Sequence, residues 1–277
     1  MANLEKALRE MQDAIDTGDP LQAGIACSLV GRILLARNLY QEAGRHYRQS
    51  NSYFAAAGKR ESQARALNHL GICLIMEEEA KTALDHLKQA LNLLGPAPDD
   101  SLLAAIQGNI GLAHSALQDH KSAIKAHKSV LEAAENSGDD TLRLNALINL
   151  SDSNLQNKNY RSAQGFALVA LDLAKELSPH PGLVLIYDLL GMISSRQGNL
   201  KAAADYHHQS FQAAQSNGDL LRQGIALANK GLALEGLTKM EEALEVMTQA
   251  EEIFRMLNSD YIEKTSKDLA RIRNALA

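Results

Sequence analysis

Tryptophan is absent from this 277-residue chain, and aromatic residues make up only 4% of it. No basic stretch interleaves with the few rings present. Lys and Arg number 28 against 33 Asp and Glu, for a net charge of −5. This balance argues against binding nucleic acid phosphates. Long apolar runs are also missing. The most apolar, Leu102 to Ile106 and Leu183 to Leu190, are far too short to span a bilayer. Met1 to Gln12 carries Glu5, Arg9 and Glu10 and lacks a signal-peptide core, so a cytoplasmic protein is expected, with no membrane partner. The two cysteines, Cys27 and Cys73, sit in apolar stretches outside any C-x-x-C motif and read as buried free thiols. β-branched residues are sparse and no segment alternates with period two, which excludes a sheet. There is no Gly-rich phosphate loop, no G-x-S-x-G and no H-E-x-x-H. Neither an enzyme nor a cofactor is expected.

What the chain does contain is a repeat. Gly31, Gly71, Gly111, Ser151, Gly191 and Gly231 stand forty residues apart, and Ala43, Ala83, Ala123, Ala163, Ala203 and Ala243 keep the same step, twelve positions later. Two phase-locked ladders over this length mean a repeat array, in which each unit buries its apolar face against its neighbours. Small residues in fixed register mark places where two helices approach closely. Bulky residues, Val30, Leu70, Ile110, Leu150 and Leu190, precede the ladder positions and lock the pairs; Lys230 breaks that series, as a stem expected to snorkel.

Each unit reads as two helices. In the second, Arg65 to Leu74 presents a small-apolar face, Glu77-Glu78-Glu79 breaks it, and Ala80, Ala83, Leu84, Leu87, Ala90, Leu91 and Leu94 recur at helical spacing. The joints carry Gly18-Asp19, Gly58-Lys59, Gly138-Asp139 and Gly218-Asp219, with Gly suited to a left-handed helix end and Asp to capping the next helix. Pro98-Asp99 and Ser178-Pro179 replace Gly at two joints, and all five prolines (Pro20, Pro96, Pro98, Pro179 and Pro181) fall at or beside joints. The expected organisation is a leading half-repeat helix over 1–17 and six repeats over 18–258 (18–57, 58–97, 98–137, 138–177, 178–217 and 218–258). A capping helix over 259–277 follows, with Ile262, Leu269, Ile272 and Leu276 facing the array.

Leu70-Gly71 with Ala83, and Leu190-Gly191 with Ala203, resemble the tetratricopeptide repeat family, as do the later bulky positions held by Tyr47 and Leu87. The unit is forty residues here, not the usual thirty-four, and Gly95 and Lys175 stand where the family places proline. Such longer units resemble the arrays of G-protein-signalling modulators and of bacterial peptide-sensing regulators. The resemblance implies an all-α fold, a right-handed α-solenoid (an α-α superhelix) of helix-turn-helix repeats, with the first helix of each pair lining a concave groove.

On that alignment the groove positions can be named. Two before the ladder stand His69, Asn109, Asn149 and Asn229, with Leu29 and Leu189 in the other two repeats. A primary amide donates and accepts at once and suits a peptide backbone. Around this row lie Arg65, Asn68, Asp152, Asp188 and Arg196, and Ile72, Leu112, Met192 and Leu232 are the apolar groove candidates. Some of these amides are alternatively expected to satisfy neighbouring groups of the fold. Arg32 and Arg65 could contribute to a carboxylate clamp, but the Lys-Asn-Lys-Arg set of chaperone-binding members is missing. Among nine histidines, His207-His208 is the densest pair, yet neighbours on a helix point about 100° apart and rarely share a metal. His207 and His127 instead fall at the bulky second-helix position, as packing residues with one ring nitrogen hydrogen-bonded, and no metal is expected. The expected function is a non-catalytic adaptor or scaffold that binds a peptide or helical segment of another protein in the groove. A ligand- or peptide-responsive regulatory module and a self-assembling scaffold, hence a homo-oligomer, are the alternatives.

Overall fold

The computed structural model describes residues 2–95, 99–177 and 182–276. Pro96, Pro98, Ser178, Pro179 and Pro181, assigned above to joints, lie outside the described residues. Within them the chain is all-α, with fourteen helices and no strand. The order is α1 (Ala2–Asp16), α2 (Pro20–Leu35), α3 (Tyr40–Ala56), α4 (Arg60–Met76), α5 (Ala80–Leu93), α6 (Asp100–Ala116) and α7 (His120–Ser137). There follow α8 (Asp140–Gln156), α9 (Tyr160–Glu176), α10 (Leu183–Arg196), α11 (Leu200–Ser216), α12 (Leu220–Gly236), α13 (Met240–Met256) and α14 (Tyr261–Leu276). Contacts divide the chain into two units, Met1–Ala146 and Leu147–Ala277, with the division inside α8.

Packing within each unit follows chain order. In the first, α1 lies on α2, α2 on α3, and so on through α7, and α4 also lies beside α6. In the second, each helix from α9 to α14 packs on the next, and α10 lies beside α12. Nearly every contact is thus made between helices adjacent in sequence, as in a solenoid. No helix of the described residues is long and apolar enough to cross a membrane.

The turns recur every twenty residues, twice as often as the ladder. Left-handed residues stand at Gly18, Asn38, Gly58, Glu78, Gln118, Gly138, Lys158, Gly198, Gly218, Thr238 and Asn258. The hydrogen bonds around them repeat too. Leu39 N–H donates to Leu34 C=O and Asn38 N–H to Leu35 C=O; Glu79 to Leu74 and Glu78 to Ile75 do the same, as do Lys239 to Leu234 and Thr238 to Glu235. This is the Schellman closure, which answers two helix-end carbonyls with one left-handed residue. The joint turns use Gly, as expected from the sequence. Most turns inside a pair do not, and Thr238 holds φ 60° despite its β-branch. Asp19, Asp99, Asp119, Asp139, Asn199 and Asp219 then cap the following helices through backbone N–H groups.

The two ladders lie where helices touch. All six ladder alanines are wholly buried. A methyl group on Gly31 would meet the Tyr47 ring at 3.0 Å, on Gly71 the Leu87 side chain at 2.7 Å, on Gly191 the His207 ring at 2.5 Å, and on Gly231 Met247 at 2.9 Å; on Gly111 it would run into the His127 ring. Each partner is sixteen residues on. Sixteen residues after Ser151, the one ladder residue that is not glycine, stands Ala167. Both are wholly buried, and the Ser151 hydroxyl donates to the Ala163 carbonyl at 3.0 Å. Where the ladder residue grows, its partner has shrunk. At a second contact, a methyl group on Gly24 would meet the Phe54 ring at 2.9 Å and one on Gly224 that of Phe254 at 2.7 Å.

Cys27 and Cys73 are buried free thiols, both pushed up to about 11 by burial. In α14, Ile262, Leu269 and Ile272 face α13 or the core beside it, whereas Leu276 is 39% exposed and does not join them. Arg271 clasps Glu235 with two bonds of 2.7 Å, fixing α14 to the end of α12. His127 departs from the expectation of one bonded nitrogen: it is buried with neither ring nitrogen partnered. Burial pushes its imidazole down to about 4.

Two outcomes follow from this packing. Ala167→Leu, which sets a large side chain against Ser151, should lower unfolding free energy by about 1–3 kcal/mol, the usual penalty of overpacking. Adding Ser151→Gly should restore most of it by recreating the Gly71–Leu87 pair; urea denaturation of the two variants checks this. The second outcome is a pH dependence. His127 takes up a proton near pH 6.5 in the unfolded chain but only near 4 in the fold, so its contribution is intact above 6.5 and lost as pH falls toward 4. Between pH 7 and 5 this should remove about 2 kcal/mol, read as the change in the stability gap between the natural chain and His127→Leu.

Candidate functional site

The first helices are α2, α4, α6, α8, α10 and α12, and one face of each carries the residues singled out from sequence. In the first unit His69, Ile72 and Asn109 are half-buried, Asn68 is buried, and Arg65 and Leu112 are exposed. In the second, Asn149, Asp152, Asp188, Met192, Asn229 and Leu232 are half-buried and Arg196 is exposed. A half-buried side chain on a helix face keeps part of its surface and its hydrogen-bonding capacity for a partner.

Several of these residues also serve the fold. The Asn109 amide donates to Asn68 Oδ1 at 2.9 Å, tying α6 to α4, and the Asn229 amide donates to Asp188 Oδ1 at 3.1 Å, tying α12 to α10. Both pairs are forty-one residues apart, one repeat plus one position. The residue that far before Asn149 is Gly108, which has no side chain to offer. Asp188 also lies 3.1 Å from Nδ1 of buried His207, out of line for a hydrogen bond. Arg65 pairs with Glu61 at 2.8 Å and Asp99 at 2.5 Å. Asp99 caps α6 as well, and the Ser101 hydroxyl and Arg65 together hold its carboxyl down at about 2. Asp152 accepts from Gln156 at 3.2 Å.

A cavity of about 480 Å³ lies in the first unit, between α2, α3 and α4. Ile25, Leu29 and Phe54 supply apolar walls, Ser28, Ser62 and His69 polar ones, and Arg32 and Arg65 the charge; no acidic residue lines it. Tyr47 completes the wall, its ring stacked on His69 at 5.0 Å and its buried hydroxyl without a partner. Burial, then Cys73, hold that phenol far above its ordinary range, so it stays protonated and keeps an O–H to donate. His69 Nδ1 lies 2.8 Å from the Arg65 carbonyl, which can only accept, so Nδ1 carries the proton. Burial lowers the His69 pKa, which keeps the ring neutral and leaves Nε2 as an acceptor.

Of the cavity residues, the sequence pointed to Arg65, His69, Arg32 and Tyr47. Ile25, Ser28 and Ser62 went unread, and Phe54 reads from sequence as inter-helix packing only, because a cavity depends on how far helices stand apart. One available signal was Gly24 opposite Phe54. No three His, Cys, Asp or Glu side chains of the described residues converge to hold a metal.

Residues 102–176 match the sequence model of the tetratricopeptide repeat family. No curated protein matches the chain by sequence. Among solved structures, the apo form of the quorum sensor NprR from Bacillus thuringiensis is similar over 98% of this chain and 80% of its own, at 15% identity and a TM-score of 0.72. Aspartyl phosphate phosphatase F from Bacillus subtilis is similar over 94% and 73%, at 16% identity and a TM-score of 0.68. A Rap protein complexed with competence and sporulation factor is similar over 92% and 76%, at 14% identity and a TM-score of 0.65. At these identities the likeness speaks for the fold. With the family match over residues 102–176, the two small-residue ladders and the paired helices, the described residues have the fold of tetratricopeptide repeats.

Proposed function

We propose that the chain is a non-catalytic regulatory or adaptor module that binds peptide or protein segments on the exposed face of its first helices. The repeats responsible are the six pairs over 18–258, with 1–17 and 259–277 as terminal helices. Arg65, Asn68, His69, Ile72, Asn109 and Leu112 form the binding face of the first unit. Asn149, Asp152, Asp188, Met192, Arg196, Asn229 and Leu232 form that of the second. One observation carries this reading: on two pairs of neighbouring first helices the position directly after the ladder is apolar and only partly covered, with one amide of each pair (Asn109, Asn229) two positions before the ladder beside it. Ile72 and Leu112 make this pair in one unit, Met192 and Leu232 in the other. A partner that covers such a stripe gains apolar burial while the amides hold its backbone. The similarity to a Rap protein complexed with competence and sporulation factor, and to a quorum sensor, supports a peptide as the bound species.

Because Asn109 and Asn229 also join adjacent repeats, their removal would mix binding with stability. Leu112→Glu and Leu232→Glu test the surface more cleanly. Peptides selected from a displayed random library on the natural chain should lose at least about tenfold in affinity for the doubly substituted protein, with its helicity and melting unchanged. Undiminished binding by that folded protein would remove the first-helix face from consideration.

A further inference from the structure

We propose that a second cavity, between α11, α12 and the start of α13, binds a small phosphate monoester whose organic part carries hydroxyl groups, as in a sugar phosphate or a nucleotide. The cavity holds about 490 Å³, within the range of about 300–1,000 Å³ typical of small-ligand sites. It lies wholly in the second unit and shares no residue with the first-helix binding face, so the two readings stand or fall separately.

Two departures from the repeat lead to this cavity. The position directly before the ladder holds Val30, Leu70, Ile110, Leu150 and Leu190 in five repeats, all of them buried; in the sixth it holds Lys230, half-buried. The position directly before the second helix holds Leu39, Glu79, Asp119, Asn159, Asn199 and Lys239. Asp119 and Asn199 cap their helices there, whereas an ammonium has no lone pair to offer and α13 goes without a side-chain cap. Each departure gives up stability, aliphatic burial at one position and a cap at the other. Both lysines line the same cavity. Local rules broken together at one place are the mark of a functional site.

The wall defines the ligand. Lys239 is paired with Glu242 at 2.8 Å, but Lys201 on α11 and Lys230 on α12 have neither an ion pair nor a hydrogen bond among the described residues. Two unanswered ammonium groups on neighbouring helices suit a phosphate monoester, with its charge of about −1.5 to −2 and three acceptor oxygens. His208 adds a donor. The Gln212 amide nitrogen, which can only donate, lies 3.3 Å from its Nε2, so Nδ1 carries the proton. Burial, then Lys230, lower the His208 pKa and keep the ring neutral. Asp205 stands on the same wall as a carboxylate without an ion pair among the described residues. It only accepts, so it repels further anionic groups, which disfavours a polyphosphate, and takes hydroxyl donors instead. Buried Leu234 and half-buried Leu237 supply an apolar floor for the C–H face of a sugar or a base.

Isothermal titration with ribose 5-phosphate and adenosine 5′-monophosphate tests the assignment. At least one should bind the natural chain, and inorganic phosphate and ribose should each bind about tenfold or more weakly than it does. Tighter binding of the nucleotide marks a nucleotide site; equal or weaker binding marks a sugar-phosphate site. Lys230→Leu restores the aliphatic residue of the other repeats, so it should melt at or above the temperature of the natural chain while losing about tenfold or more in affinity. Lys201→Gln should impose a similar loss with an unchanged circular dichroism spectrum, whereas Lys121→Gln, at the same phase on α7, should have no effect. No binding of either probe at millimolar concentration, inorganic phosphate bound as tightly as the organic phosphates, or full binding by Lys230→Leu would overturn the proposal.

Discussion

The depth to which two antiparallel helices sink into each other governs this molecule. That depth is set at one position per pair, where a ladder residue faces the side chain sixteen positions later. The two share a nearly fixed volume. Glycine takes the ring of Tyr47, His127 or His207, or the branch of Leu87, whereas the residue sixteen positions after Ser151 is only Ala167. Packing at interior density leaves no slack for both to be large and forms a void if both are small. Gly24 with Phe54 and Gly224 with Phe254 repeat the bargain near the other end of the pair. In those two pairs, two such contacts fix both the separation and the angle of the helices.

Most of this was legible because volume leaves a direct mark on sequence. A position that tolerates only Gly or Ser declares itself at once, and six of them in register declare the architecture. The turns were half legible. Gly18, Gly58, Gly138 and Gly218 announced the joints, but Asn38, Glu78, Gln118 and Lys158 adopt the same left-handed backbone without glycine's signature. Their strain, of order 1 kcal/mol each, is held in place by the Schellman hydrogen bonds and by packed helices on either side. His127 shows the same limit. Sequence identified a packing residue, but whether its nitrogens find partners depends on neighbours from other helices.

The amide row was legible in phase and not in role. Its common register fits a ligand that runs across successive first helices, and fits equally well a rung that ties each repeat to the next. Asn109 and Asn229 do the second, through acceptors at Asn68 and Asp188 that stand one repeat and one residue earlier. An amide has four hydrogen-bonding valences, so donating once toward a neighbour leaves its carbonyl oxygen for another partner. The two roles are compatible, and the inter-repeat bond orients the amide before any ligand arrives, which lowers the entropy lost on binding.

Scaffold and specificity are separated by phase. The positions that carry the fold (the ladder residue, the alanine twelve later, the side chain sixteen later) vary only in compensating ways. The position one after the ladder is exposed or half-buried and varies, through Arg32, Ile72, Leu112, Asp152, Met192 and Leu232. Chemistry specific to one repeat can therefore be written at that position without loss of the array. Repeat one shows this most fully: its ladder contact carries Tyr47, whose ring reaches past Gly31 to stack on His69 of the next first helix. The same ring that closes the pair thus forms one wall of the cavity beside Arg32, so the most constrained contact of the fold and its least constrained position meet at a single site.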